Sequence, residues 1–142
     1  MKVALVGYGR MGKIIEGILV ERGHQIASRI DTAGAGDSEV LDSAALKGAE
    51  GVIEFVLAEG ILDRLKVYAD SGLPVVVGTT GWDALVPEGK KTMEGSPAAI
   101  LRGNNFSVGA HLFFRLSAEA ARLVNRVEEY DVSITEYHHN RK

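Results

Sequence analysis

A chain of 142 residues, 46% hydrophobic and 25% charged, has the size and composition of one globular domain and is too short for two full lobes. A formal net charge of −3 argues against nucleic acid as a partner, and the absence of cysteine excludes disulfide frameworks, thiolate zinc sites and cysteine nucleophiles. The opening "MKVALVGYG" is too short an apolar run for a signal peptide, and no window reaches a membrane span, so a cytoplasmic protein is expected.

In chain order, "KVALV" (Lys2–Val6) is a short apolar run ended by glycine, which suits a buried parallel strand. "GYGRMG" follows, and then "KIIEGILVERG"; Met11, Ile14, Ile15, Ile18 and Leu19 share one helical face, with Gly23 at the C-terminal cap. "HQIASRID" reads as a second strand ending in Asp31, and "TAGAGDSE" as a turn-rich loop. "GVIEFVL" reads as a third strand and "GILDRLKVYADSG" as a helix ended by Gly72. "LPVVVGTTG" is a fourth strand, with Pro74 at its start, where a missing N–H is harmless. "WDALVPEGKKTMEGS" is weakly helical and expected to break at Pro87. "AAIL" is a fifth strand, and "SVGAHLFFRLSAEAARLVNRV" a long helix with Ser107 as N-cap. "DVSITEY" alternates like a closing strand. Alternating strands and helices imply an α/β fold, a Rossmann-like doubly wound parallel sheet covered on both faces.

The glycines of "GYGRMG" stand at 7, 9 and 12, directly after a strand and opening a helix. In that setting Gly7 permits the tight turn, Gly9 admits a pyrophosphate, and Gly12 lets the helix approach the sheet. The helix N-terminus then offers N–H donors to the phosphates. A glycine-rich turn with no ligand is the competing reading. Asp31 lies near the ~20-residue spacing at which an acid binds the adenosine ribose hydroxyls. A carboxylate there repels a 2′-phosphate and favours NADH, whereas Arg10 and Arg29 are nearby cations that keep NADPH open.

"GTTG" (Gly78, Thr79, Thr80, Gly81) follows the fourth strand at the carboxyl edge of the sheet, where ligands bind in open α/β folds. It reads equally as a plain strand–helix turn capped by Thr80. "NNFSVG" either faces the same crevice or caps the long helix. In the final "EYHHNRK", His138 and His139 on an extended strand would point to opposite faces, and the HExxH spacing is absent, so no metal site is expected. A solvated polar end competes with a hydride-transfer site, in which one cationic group protonates and the others hold carboxylates.

In that order, "GYGRMG", "PVVVGTTGW", "NFSVG" and "EYHHNRK" resemble the dihydrodipicolinate reductase family of bacterial lysine and diaminopimelate biosynthesis, and the resemblance runs from Met1 to Lys142. It implies NAD(P)H-dependent reduction of an unsaturated cyclic dicarboxylate to tetrahydrodipicolinate. By position, Gly7, Arg10, Met11 and Gly12 would line the cofactor phosphates beside Gly9, and Asp31 the adenosine ribose. Gly78, Thr79 and Thr80 would meet the nicotinamide side, with Asn105 and Phe106 near its amide. His138 would match the family's general acid/base histidine, Lys142 its catalytic lysine, and His139 a substrate-contacting residue.

The sequence departs from the family at two points. Glu54 and Val56 flank Phe55 where the family usually shows Asp and a small hydroxyl residue, which bears on the cofactor contact expected at Phe55. The family continues after the lysine into a Pro-Ser-Gly-Thr segment that grips a substrate carboxylate, then into a substrate and tetramerisation domain, then back to the cofactor domain. The expected division is therefore a dinucleotide-binding domain over 1–127 and, over 128–142, the orphan first strand of a missing α+β substrate domain. A family homotetramer would lack most of its assembly domain in this chain. A stand-alone NAD(H)-binding or redox-sensing module is the alternative from a different class. A Rossmann dehydrogenase acting on another imine or keto acid is a third reading, which the GTTG and E-x-H-H-x-x-K pair opposes.

Overall fold

The computed structural model describes residues 1–137, which divide into two compact units after Asn104. The first unit carries a five-stranded parallel sheet of β1 (Lys2–Val6), β2 (Gln25–Ile30), β3 (Gly51–Glu54), β4 (Val75–Val77) and β5 (Ile100–Arg102), in the order β2-β1-β3-β4-β5. It also holds α1 (Arg10–Glu21), α2 (Ile61–Ser71), a single turn at Asp83–Leu85, and α3 (Val86–Met93). The chain reverses direction across the sheet between β1 and β3, which makes their carboxyl ends the switch point at which open α/β sheets bind ligands.

One face of the sheet builds the core. Ala4, Val6, Val52, Val75 and Val77 are buried there with Ile61, Leu65 and Tyr68 of α2, and with Leu46 and Trp82. The alternation of strand side chains sends these residues to the α2 side, and it sends Val3, Ile53, Val76 and Leu101 to the other. On that second face Leu19 of α1 joins an apolar groove of about 400 Å³ over β3, β4 and β5. Within this unit the expected cover on both faces is thus incomplete.

Three expectations need correction. Pro87 does not break the helix after Trp82; it stands in the first turn of α3, where its fixed φ suits the helix and its missing N–H costs nothing. The helix expected over "KIIEGILVERG" begins at Arg10, three residues before that segment and inside the glycine motif. The segment "DVSITEY" forms no strand, because a ladder needs a second strand and the described residues of its own unit hold none.

The second unit contains α4 (Val108–Val124), begun as expected by Ser107, whose hydroxyl accepts the Ala110 N–H at 3.3 Å. No helix among the described residues is long and apolar enough to cross a membrane.

Candidate functional site

Three loops leave the carboxyl ends of β1, β3 and β4, and close packing ties them together. Gly7 has φ +92°, and a Cβ built on it would lie 2.2 Å from the Phe55 carbonyl oxygen and 2.6 Å from Val56 Cγ1. The glycine loop can therefore lie against the β3 loop only because residue 7 has no side chain. A Cβ on Gly12 would lie 2.2 Å from the Gly7 carbonyl oxygen, so the first turn of α1 closes directly on β1. Gly78 gives up its space to protein: a Cβ there would lie 2.2 Å from the Phe55 ring, so the ring covers the start of "GTTG". At Gly9 a Cβ would meet nothing within 4 Å. The room above the loop is open.

The N-terminus of α1 carries no side-chain cap, which leaves its first N–H groups to an incoming acceptor. Arg10 and Met11 are exposed in its first turn. Asp31, half-buried at the end of β2, accepts the Tyr8 N–H at 2.6 Å through Oδ2 and the Ala33 N–H at 2.8 Å through Oδ1. The carboxylate thus sits across the glycine loop, as the strand–loop–strand spacing predicts, and also fixes that loop's backbone.

A second cluster beside it had no signal in the spacing of motifs. Glu16 on α1 accepts hydrogen bonds from the Tyr8 hydroxyl and the Arg29 guanidinium, and Arg29 also pairs with Asp37 at 3.2 Å. The guanidinium carbon stands 5.6 Å from the centre of the Tyr8 ring. Arg29 is therefore committed to two carboxylates, while Arg10 makes no ion pair among the described residues. The Arg29 hydrogen bond, and after it that of Tyr8, holds the Glu16 carboxyl below the ordinary glutamate range.

A carboxylate whose pKa is depressed on folding stabilises above its unfolded pKa and loses that contribution as pH falls through the folded value. Denaturant unfolding between about pH 6 and about pH 3 is expected to show a shallower acid loss in Glu16→Gln than in the unmutated chain. Parallel curves would mean that Glu16 contributes nothing to acid stability.

Behind the β3 and β4 loops lies a third polar cluster. Glu54, fully buried at the end of β3, accepts from Arg64 Nε at 3.0 Å, from the Tyr68 hydroxyl at 2.5 Å and from the Thr79 hydroxyl at 2.7 Å. Burial, and then the Glu54 charge, pushes the Tyr68 phenol far above its ordinary value, so it remains a donor. Thr79 itself is buried, and its carbonyl accepts Trp82 Nε1–H at 2.9 Å, whereas Thr80 is exposed. Of the GTTG residues, Thr80 is the one with an exposed side chain. The signal for this cluster was a carboxylate inside the apolar run "GVIEFVL", since an acid is buried only when it is partnered.

In the second unit, Asn105 Oδ1 accepts the Ser107 N–H at 2.8 Å, and the Asn105 carbonyl bonds the His111 ring nitrogen at 2.8 Å. Asn105 thus takes part in starting α4, and Phe106, exposed, follows it. His138, His139 and Lys142 lie outside the described residues.

A glycine loop at the switch point, an open approach to an uncapped helix and an acid at the end of β2 define a Rossmann-like domain of the NAD(P)-binding class. Residues 1–106 match the family model described as "Dihydrodipicolinate reductase, N-terminus". The chain belongs to that family. A 4-hydroxy-tetrahydrodipicolinate reductase from Christiangramia forsetii is 32% identical over 142 residues, covering 100% of this chain and 57% of that protein. Another, from Chromobacterium violaceum, is 38% identical and covers 99% of this chain and 58% of that one. The chain therefore spans little more than half the length of the curated relatives it matches. Among solved structures, aspartate dehydrogenase from Thermotoga maritima superposes with a TM-score of 0.56 at 16% identity, covering 83% of this chain and 52% of that one. That likeness concerns the fold alone.

Proposed function

We propose that this chain is the nucleotide-binding portion of a 4-hydroxy-tetrahydrodipicolinate reductase of lysine and diaminopimelate biosynthesis, and that it takes NADH in preference to NADPH. The observation that carries the cofactor reading is the open space at Gly9 in front of an uncapped α1, with the Asp31 carboxylate at the same crevice. Backbone N–H groups of that helix would take the phosphates, and Asp31 the adenosine ribose hydroxyls. Because Arg29 is already paired with Glu16 and Asp37, Arg10 is the cation left to receive a 2′-phosphate, while Asp31 repels it. Bound nicotinamide would supply the hydride.

His138, Lys142 and His139 fit the remaining needs of that chemistry. His138 would donate the proton that quenches the reduced substrate, and Lys142 and His139 would offset the charge of a cyclic dicarboxylate. The substrate and the assembly of the complete enzyme belong to this reading as well, since the relatives are longer than this chain.

The test is substrate-dependent NADH oxidation by the protein extended to its relatives' length, using dihydrodipicolinate and its hydrated precursor. Oxidation that requires the substrate supports the reading, and none by a folded extended protein removes it. Asp31→Ala is expected to weaken NADH about ten-fold, in line with one or two lost charge-assisted hydrogen bonds, and to weaken NADPH less. Equal losses measured by titration would remove Asp31 from the ribose.

A further inference from the structure

We propose that Glu54 is a positioning residue for the nucleotide crevice: its buried carboxylate holds the β3 and β4 loops in register through Arg64 and Thr79. The inference rests on the cofactor reading above and adds to it a residue that touches no ligand.

The geometry is that of a hub with two arms. On one side Arg64 donates to Glu54 through Nε at 3.0 Å and Nη2 at 3.4 Å, and also to the backbone of the β3 loop, bonding the Leu57 carbonyl at 2.8 Å and the Glu59 carbonyl. On the other side the Thr79 hydroxyl donates to Glu54 Oε1 at 2.7 Å and accepts the Val56 N–H at 3.3 Å. The Glu54 carbonyl also accepts the Gly78 N–H at 2.8 Å. Glu54 therefore ties residues 56–59 to residues 78–79, the loops that follow β3 and β4, and the first of these borders the switch point.

The loops are not merely near the glycine motif. The Phe55 carbonyl and Val56 side chain fill the space over Gly7, and the Phe55 ring fills the space over Gly78. A displacement of the β3 loop would move both walls of the crevice. A buried carboxylate with one cation and two hydroxyl donors is costly to assemble, and apolar residues would fill the volume as stably. Its use is therefore geometric: the charged, hydrogen-bonded hub allows one arrangement of the loops, where an apolar plug allows several.

The test uses Thr79→Val, which keeps the shape and removes the hydroxyl, Thr79→Ser, which restores the hydroxyl, and Glu54→Gln. Each is measured in the 142-residue chain for NADH affinity, for amide hydrogen exchange at residues 55–60 and 78–81, and for denaturant stability. The expected result is about ten-fold weaker NADH binding and faster exchange in both loops for Thr79→Val, with Thr79→Ser close to the unmutated chain. Glu54→Gln should loosen both loops together. If the unmutated chain binds NADH and Thr79→Val binds it equally, the hub is a packing feature and the inference fails alone. Thr79→Ser behaving like Thr79→Val would also overturn it, because the methyl group and not the hydroxyl would then matter. If the folded unmutated chain binds no NADH, the cofactor reading fails, and this inference with it. Thr79→Val remains informative if Glu54→Gln does not fold.

Discussion

Gly7→Ala is expected to destabilise the chain by about 3 kcal/mol, combining a left-handed backbone cost of about 1–2 kcal/mol with an overpacking cost of similar size. Residue 7 sits at φ +92°, and the added methyl would lie 2.2 Å from the Phe55 carbonyl oxygen. That oxygen belongs to backbone held by the Phe55 N–H bond to the Val6 carbonyl at 2.8 Å, so it cannot move aside without breaking the β1–β3 register. A loss of this size is a large share of the roughly 5–15 kcal/mol that holds an ordinary domain together. Urea unfolding measures it directly. The variant should also bind nucleotide poorly at temperatures where it stays folded, because any relief moves the loop that would face the phosphates. A midpoint within error of the unmutated chain would mean that the β1 and β3 loops are not packed as described.

The second large effect concerns the chemistry. In the protein extended to its relatives' length, His138→Gln is expected to lower kcat by about 10²–10⁴, the usual contribution of a positioned general acid. Lys142→Ala should lower turnover as well, with a rise in KM for the dicarboxylate if the ammonium holds a substrate carboxylate. Neither change should alter NADH affinity by more than about two-fold, because both residues follow the family-matched nucleotide portion, which ends at residue 106. Unchanged turnover in either variant would remove that residue from the acid chemistry.

The parts of the fold that could be read from sequence were those in which one local rule decides. "GYGRMG" after a run of buried apolar residues fixes a strand, a turn and a helix at once, and the acid at the end of the next strand follows from the βαβ repeat. The five parallel strands and Ser107 as a helix cap were legible for the same reason.

What was hidden depends on residues far apart in the chain. Tyr8, Glu16 and Arg29 carry no shared motif, and only the folded β1–α1–β2 unit brings them together. Glu54 could be flagged as an acid inside an apolar strand, but not its partners Arg64, Tyr68 and Thr79 on other elements. Pro87 was ambiguous because the same residue ends one helix and begins another, and position decides. The Phe55 ring packs where a Cβ on Gly78 would stand, a contact between two loops that no local motif announces. Alternation in "DVSITEY" showed strand propensity, but propensity without a pairing strand makes no ladder.

The central claim, that residues of the glycine loop, Asp31 and the β3 and β4 loops already form a nucleotide crevice, is tested most directly by titrating the 142-residue chain with NADH and then NADPH, followed by fluorescence or calorimetry. Saturable 1:1 binding of NADH in the micromolar range, tighter than that of NADPH, is the predicted result. A chain that unfolds cooperatively yet binds neither nucleotide at millimolar concentration would contradict it.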